Sequence, residues 1–483
     1  MADTDLLVVF DQAHEVFFAG QPITGRVILI TTDAKYKARA VSIQFEGCAH
    51  TNWQEYETVR RRDNNGETTY DRHAVRYSDN ASFLKNTTIL WASSDGSNEL
   101  EAGRYEWPFS MMLPTNIPPS FEGKYGYIRY SVKAEVDRPW RIDKAKKCCI
   151  TVSSSIDLNV IPNAIAPLHD DEVDNIGCCC FKKGYLELRV DIPKTGFVPG
   201  ETIPINVHIL NYSSVSVTEV EARIIQHCTF VAFRRGDSFE YIGDLIPSVI
   251  PERKTKYDTK SVMILTKACT IESGKEYKTA LELHLPSITP TIQENSPIIT
   301  VNYLVQITVD TSATFGSSID CEMPVVIGTV PIYQFLPPAY YPQNPFLPPA
   351  EPTPIPPSIG GGIAALPAYG IVPQADGPLL PKEHGGPPYP YGPPLEPCPP
   401  YPGSSQPHPA VGGVVPHPFY SNITASTDGT GPTPNAPPLS FENSMYGIEG
   451  TELNTDENEK PFVPKYPVFR GLPVYNPTAP PSE

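Results

Sequence analysis

An all-β chain is predicted here: two tandem immunoglobulin-like β-sandwich domains followed by a disordered, proline-rich C-terminal tail. Three observations predict it. Short runs of alternating apolar residues fill the first 330 positions, that region repeats itself once, and proline density jumps near residue 331.

The runs RVILI (26 to 30), AVSIQFEG (40 to 47), YIRYSVKAEV (127 to 136), CCITVSSSIDLNVI (148 to 161), GYLELRVDI (184 to 192), IPINVHIL (203 to 210) and VNYLVQITV (301 to 309) alternate with a period of two. That period marks strands with one buried face. Gly, Pro, Asn and Asp turns separate them, and few segments carry helical periodicity, so antiparallel sandwiches are expected rather than a parallel α/β sheet.

The repeat is visible residue by residue. FAGQPITGRVILI (18 to 30) aligns with VPGETIPINVHIL (198 to 210), placing Gly20 over Gly200, Ile23 over Ile203 and Val27 over Val207. Later in each half, Leu113-Pro114-Thr115 matches Leu285-Pro286-Ser287, and YSVKAEVD (130 to 137) matches YLVQITVD (303 to 310). Nearly equal offsets make the unit one domain used twice. The expected organisation is an N-terminal domain over 1–165, a linker over 166–180, a C-terminal domain over 181–330 and a tail over 331–483.

Of the 56 prolines, 39 fall in the last 153 residues. Proline removes backbone donors and fixes φ, so this tail is expected to bury no core and to bind, space or be modified instead. LPPAEPTPIPP (347 to 357) and YGPPLEPCPPYPG (391 to 403) should sample polyproline II.

Composition excludes several classes. A formal charge of −17 argues against nucleic acid as a partner, since phosphate binding needs clustered Lys and Arg. The N-terminus lacks a signal-peptide pattern and no run of 18 apolar residues occurs, so a cytoplasmic chain with peripheral membrane association only is expected. The ten cysteines then read as reduced thiols. Histidines such as His50, His208, His227 and His284 lie in strand-like stretches without a nucleophile motif, and no phosphate or dinucleotide loop is present. The expectation is no catalytic residue, no metal and no cofactor.

Against that background the block FDQAHEVFFAGQPITGRVILI, then VSIQFEG, then WPFSMMLPTNIPPSFEGKYGYIRYSVKAEVDRPW resembles the N-terminal arrestin domain. KKGYLELRVDIPKTGFVPGETIPINVHILN resembles the start of the arrestin C-terminal domain. The whole is most similar to the α-arrestins, the arrestin-domain-containing proteins. The resemblance implies an adaptor that links membrane receptor or transporter cargo to WW-domain ubiquitin ligases of the HECT type, promoting ubiquitination, endocytosis and trafficking. It also implies recruitment to the plasma membrane and endosomes. Two departures from the visual and β-arrestin branch are a missing amphipathic helix around 94–106 and a missing clathrin box. Within the same family stands an alternative, a redox or metabolic regulator like the thioredoxin-interacting branch, which would need an exposed thiol; Cys228, in IIQHCTF, reads as strand-buried. A retromer-like sorting subunit shares the double sandwich but has no need of tail motifs.

The tail carries such motifs. A WW domain reads Pro-Pro-x-Tyr because a preformed polyproline II segment seats between aromatic rings at little ordering cost. Pro337-Pro338-Ala339-Tyr340 fits in full. Leu366-Pro367-Ala368-Tyr369, Val463-Pro464-Lys465-Tyr466 and Leu472-Pro473-Val474-Tyr475 are relaxed versions, in excess of the roughly 0.3 that composition predicts. Pro477-Thr478-Ala479-Pro480 looks like the late-domain tetrapeptide bound by ESCRT-I, and Asn344-Pro345-Phe346 like the tripeptide bound by EH-domain scaffolds. Only Asn476 separates Tyr475 from Pro477, so a WW domain and ESCRT-I should exclude one another there. Tyr369 and Tyr466 also begin Tyr-x-x-apolar strings, a pattern too common to count. The triplet Cys178, Cys179 and Cys180 reads as packing near the domain junction, as acylation at a membrane surface, or as a metal or redox site.

Overall fold

The computed structural model describes residues 4–12, 15–62, 68–94, 96–178, 181–235, 252–312, 318–336, 439–444 and 462–475. Among them the chain is β-structure, with one short 3-10 turn at Tyr333–Phe335. Six of the seven alternating runs fall wholly in strands, and the seventh begins in one. Gly126–Asp137 and Ile299–Thr311 bury nearly every second side chain, as half-buried strands do. The run from 148 ends its strand at Ser153 rather than 161. There the chain crosses to the second half, where the carbonyl of Ile156 accepts bonds from the amides of Thr329 and Val330 at 2.9 and 3.0 Å.

Each half is a sandwich. In the first, the sheet of Thr4–Phe10, Pro22–Thr31 and Gly103–Met112 accompanies a larger one containing Val16–Phe18, Lys144–Ser153, Gly126–Asp137, Ala40–Arg62 and Thr68–Ala92. In the second, Leu168–Cys178, Phe181–Ile192, Thr202–Asn211 and Glu276–His284 accompany Gly196–Phe197, Ser318–Ile327, Ile299–Thr311, Val217–Arg235 and Arg253–Ile271. The expected linker over 166–180 is therefore largely strand: Leu168–Cys178 pairs antiparallel with Phe181–Ile192.

The duplication extends to single hydrogen bonds. Leu113 donates its amide to Gln21 at 2.9 Å, and Leu285 donates to Glu201 at 2.8 Å. The amide of Gln21 reaches the carbonyl of Phe18, and that of Glu201 reaches Val198, each at 3.0 Å. Gly20 and Gly200 hold these turns with φ of 81° and 89°, a region open chiefly to glycine. The hydroxyls of Tyr130 and Tyr303 each donate at 2.7 Å to an upstream carbonyl, that of Pro118 and that of Thr289.

The halves share one sheet. Phe233, Arg234 and Arg235 pair with Ser78, Tyr77 and Arg76, which joins the two larger sheets into eleven strands. The long hairpin of Ala40–Arg62 and Thr68–Ala92 reaches across to make this joint. Thr51 Oγ1 donates to the carbonyl of Val231 at 2.7 Å. Glu55 receives Lys254 at 2.5 Å and Lys256 at 3.1 Å, and Glu57 receives Arg234 at 3.0 Å.

The hydrogen bond from Lys254 is the main cause that holds the Glu55 carboxyl below its ordinary value of 4.5. A group whose folded pKa is lowered stabilises the fold above its unfolded value and loses that contribution as pH falls through the folded one. A Glu55→Gln chain should therefore melt below the wild type at pH 7. The gap should narrow as pH drops from about 4.5 towards 3. Thermal unfolding of both proteins across that range checks it; a gap that stays constant would remove the tie between Glu55 and the two lysines.

Candidate functional site

The tail does bury side chains, contrary to the expectation from its proline content. Leu439–Asn443 and Lys465–Phe469 pair antiparallel as a hairpin, and that hairpin seats in a slot between the two halves. The strand KYPVF buries four consecutive residues, Tyr466 to Phe469, and Pro467 is tolerated because the strand pairs on one edge only.

Two side chains anchor it. Tyr466 is 1% exposed. Its hydroxyl donates to the Ser120 carbonyl of the first half at 2.9 Å and accepts from the Thr289 hydroxyl of the second. Behind these, Gln226 Nε2 donates to the Tyr303 hydroxyl at 2.6 Å, and that hydroxyl donates to the Thr289 carbonyl. A polar chain thus runs from one sandwich through the tail to the other. Burial pushes the Tyr466 phenol well above its ordinary range, so the ring stays a neutral donor. The cavity beside it, bounded by Glu122, Gln226, Lys260 and Thr289, measures about 10 Å³, enough for one water at most.

Phe469 is the second anchor. It is wholly buried among Phe18, Leu158, Ala164, Val198, Val330 and Ile332. Phe18 and Val198 are equivalent positions of the two copies, so the ring lies where the repeated turns meet. Main-chain bonds fix the strand: Phe469 donates to the carbonyl of Pro199 at 2.9 Å, and Lys465 donates to Thr151 Oγ1 at 3.2 Å. Ser287 Oγ donates to the carbonyl of Glu442 at 2.9 Å. A Cβ on Gly200 would lie 1.9 Å from the Phe469 carbonyl oxygen, so the repeat's turn glycine also admits the tail backbone.

Beside the slot Lys194 is buried and paired with Glu201, and its ammonium faces the rings of Phe197 and Phe335 at 4.7 and 5.2 Å. Phe335 in turn meets the ring of Tyr475 at 4.3 Å. Of the WW-type motifs, Val463-Pro464-Lys465-Tyr466 therefore does not present its tyrosine while the hairpin is seated, because the ring is enclosed by both halves. In Leu472-Pro473-Val474-Tyr475, Leu472 packs on the seam and Tyr475 is 41% exposed. Pro337-Pro338-Ala339-Tyr340, Leu366-Pro367-Ala368-Tyr369, Asn344-Pro345-Phe346 and Pro477-Thr478-Ala479-Pro480 lie outside the described residues. So do Cys179 and Cys180, while Cys178 ends a strand. Cys228 is buried in Val217–Arg235, and burial pushes its thiol up to about 12.

Sequence reasoning missed the slot. The signal available was the alternating run LSFEN and the apolar run YPVF inside a proline-rich tail.

Losing the Tyr466 hydroxyl leaves the buried Ser120 carbonyl without that donor, a cost of about 1–2 kcal/mol. Truncating Phe469 to alanine forfeits about 3–5 kcal/mol of packing. Both costs fall on the hairpin's attachment. In Phe469→Ala, the amides of Lys465, Tyr466, Val468 and the residue at 469 should exchange much faster than in wild type, with Tyr466→Phe between the two and the amides of 299–311 unchanged. Equal protection in all three chains would contradict the anchoring roles.

Two family models cover most of the folded body. That for the arrestin (or S-antigen) N-terminal domain matches residues 6–159, and that for the arrestin C-terminal domain matches residues 182–332. Arrestin domain-containing protein 17 of Caenorhabditis elegans is 28% identical over 325 residues, covering 67% of this chain and 70% of that protein. Arrestin domain-containing protein 4 of Mus musculus is 27% identical over 331 residues, 68% of this chain and 72% of the relative. Thioredoxin-interacting protein of Homo sapiens is 27% identical over 230 residues, 47% and 54%. With two sandwiches built from one repeated unit, the same turn bonds in each, and both domain models matched in order, the chain belongs to the arrestin family, among its arrestin-domain-containing members, the α-arrestins.

Proposed function

We propose that this protein is an adaptor rather than an enzyme, linking membrane-protein cargo to WW-domain HECT ubiquitin ligases and then to endosomal sorting machinery. The observation that carries the reading is where the full motif stands. Leu336 is the last buried residue of the body's C-terminal turn, and Pro337-Pro338-Ala339-Tyr340 begins at the next position. A ligase reading it would be held within a few residues' reach of whatever the sandwiches carry, and proximity of this kind raises the rate of transfer without new contacts. Tyr369 and Tyr475 serve as weaker ligase contacts, and Tyr466 joins them only when its strand leaves the slot. Pro477-Thr478-Ala479-Pro480 and Asn344-Pro345-Phe346 are assigned to ESCRT-I and EH-domain scaffolds.

A membrane-facing feature supports cytoplasmic residence with recruitment to plasma membrane and endosomes. The loop between Gly126–Asp137 and Lys144–Ser153 presents Trp140 and Ile142 almost fully to solvent. Residues 138–147 carry Arg138, Arg141, Lys144, Lys146 and Lys147 against a single acid, Asp143. An exposed indole beside clustered cations suits the interface of an anionic bilayer, where each cation contributes about 1 kcal/mol. The buried thiol of Cys228 favours this reading over a redox regulator.

Two measurements test it. Pull-down of a HECT ligase's WW domains by the full chain should fall at least tenfold in Tyr340→Ala. Undiminished capture would transfer the ligase contact elsewhere or remove it. Sedimentation with phosphatidylserine vesicles should fall several-fold in Trp140→Ala, and binding equal to wild type would take the loop out of the membrane contact.

A further inference from the structure

We propose that the slot between the halves is a recognition site for an extended Tyr-x-x-Phe segment of a cargo protein, and that Tyr466–Phe469 is a built-in occupant of it. The proposal rests on the adaptor reading only for the source of the incoming segment.

The slot has the features of a peptide site rather than of a sheet awaiting its last strand. Lys465–Phe469 pairs only with Leu439–Asn443 and adds no strand to either sandwich. Contact with the body is instead made through two side-chain pockets and a few main-chain bonds. Such sites are mostly apolar, with a small number of polar groups that fix orientation. Here the polar groups are the Ser120 carbonyl and the Thr289 hydroxyl, which meet the tyrosine oxygen. The apolar pocket takes Phe469. Pro467 and Val468 are also buried and add apolar packing, while the tyrosine oxygen and the Phe469 ring are the two positions held by polar partners and by the deep pocket, which gives the pattern Tyr-x-x-Phe with apolar residues between.

The pockets also say what is refused. A phenylalanine in place of the tyrosine would leave the Ser120 carbonyl only the long contact from the Thr289 hydroxyl, at 3.5 Å. With about 10 Å³ beside the ring and the Glu122 side chain nearby, a phosphotyrosine does not fit. The site therefore takes unphosphorylated tyrosine, and phosphorylation of a cargo segment would release it.

The cis occupant is displaceable in principle because it is attached through a long tether. From Leu336 to Leu439, where the seated hairpin begins, the chain runs 102 intervening residues, and a tether of that length presents its end at about millimolar effective concentration or below. An incoming segment competes against that concentration. Membrane cargo clustered beside the adaptor would supply it.

The test uses the purified full-length chain with no ligase present, so its outcome is independent of the pull-down. A fluorescein-labelled peptide of sequence FVPKYPVFRG, copied from residues 462–471, is titrated by anisotropy onto wild type and onto Phe469→Ala, whose own strand holds less well. Binding to Phe469→Ala should be at least tenfold tighter than to wild type. A peptide keeping only Tyr-Pro-Val-Phe within Gly and Ser should bind within about tenfold of the parent. The Tyr→Phe peptide should lose about tenfold, and the phosphotyrosine peptide should show no binding. In wild type, millimolar peptide should raise the exchange rate of the Phe469 amide as the cis strand is displaced. No binding to a folded Phe469→Ala chain would overturn the proposal, as would affinity indifferent to the tyrosine. If Phe469→Ala does not fold, the wild-type exchange measurement decides, and unchanged protection under excess peptide refutes displacement. Concentration-dependent dimers of wild type dispersed by the peptide would instead make the occupant a second copy of this chain.

Discussion

The main-chain joint between Arg76–Ser78 and Phe233–Arg235 sets everything else in this molecule. Side-chain contacts between two sandwiches can slide, but a hydrogen-bonded register cannot shift by less than a residue pair. By fusing the larger sheets, the joint fixes the angle at which the two copies of the repeated turn face one another. Ser120 and Thr151 from one copy and Pro199, Gly200 and Thr289 from the other are thereby held at the spacing of a single extended strand. The charged contacts of Glu55 and Glu57 reinforce the joint from the exposed side, where such pairs are worth little singly.

Much of the body was legible because duplication makes each half a check on the other. Gly20 and Gly200 align in sequence, and they hold the same φ and the same turn bonds. The alternating runs were legible because one face is buried. Thr68–Ala92 and Arg253–Ile271 were harder: both have long stretches with neither face fully buried, so polar residues fill both phases. The expected linker was misread for a related reason. Asp170, Asp171, Glu172 and Asp174 look like a solvated connection, yet they lie on an edge strand, where acids discourage pairing with another chain.

The slot was the least legible part. Its occupant is a five-residue strand, and the partner of its first amide, Thr151, lies 314 residues earlier. No local pattern encodes a contact at that separation. Proline content argues against a core built by the tail itself, but it says nothing about a short strand that borrows one. Tyr466 belongs to two readings at once, a ligase motif and an anchor, and geometry permits one at a time.

The position of the occupant at the far end of the chain gives the slot a history. Synthesis runs from the N-terminus, and the walls are complete once Ile332 has been made, whereas Phe469 follows 137 residues later. At 5–20 residues per second, roughly 7 to 30 s separate the two. During that interval the apolar walls of the slot stand without Phe469 to cover them. A message cut short before Lys465 would yield a chain whose slot has no occupant of its own.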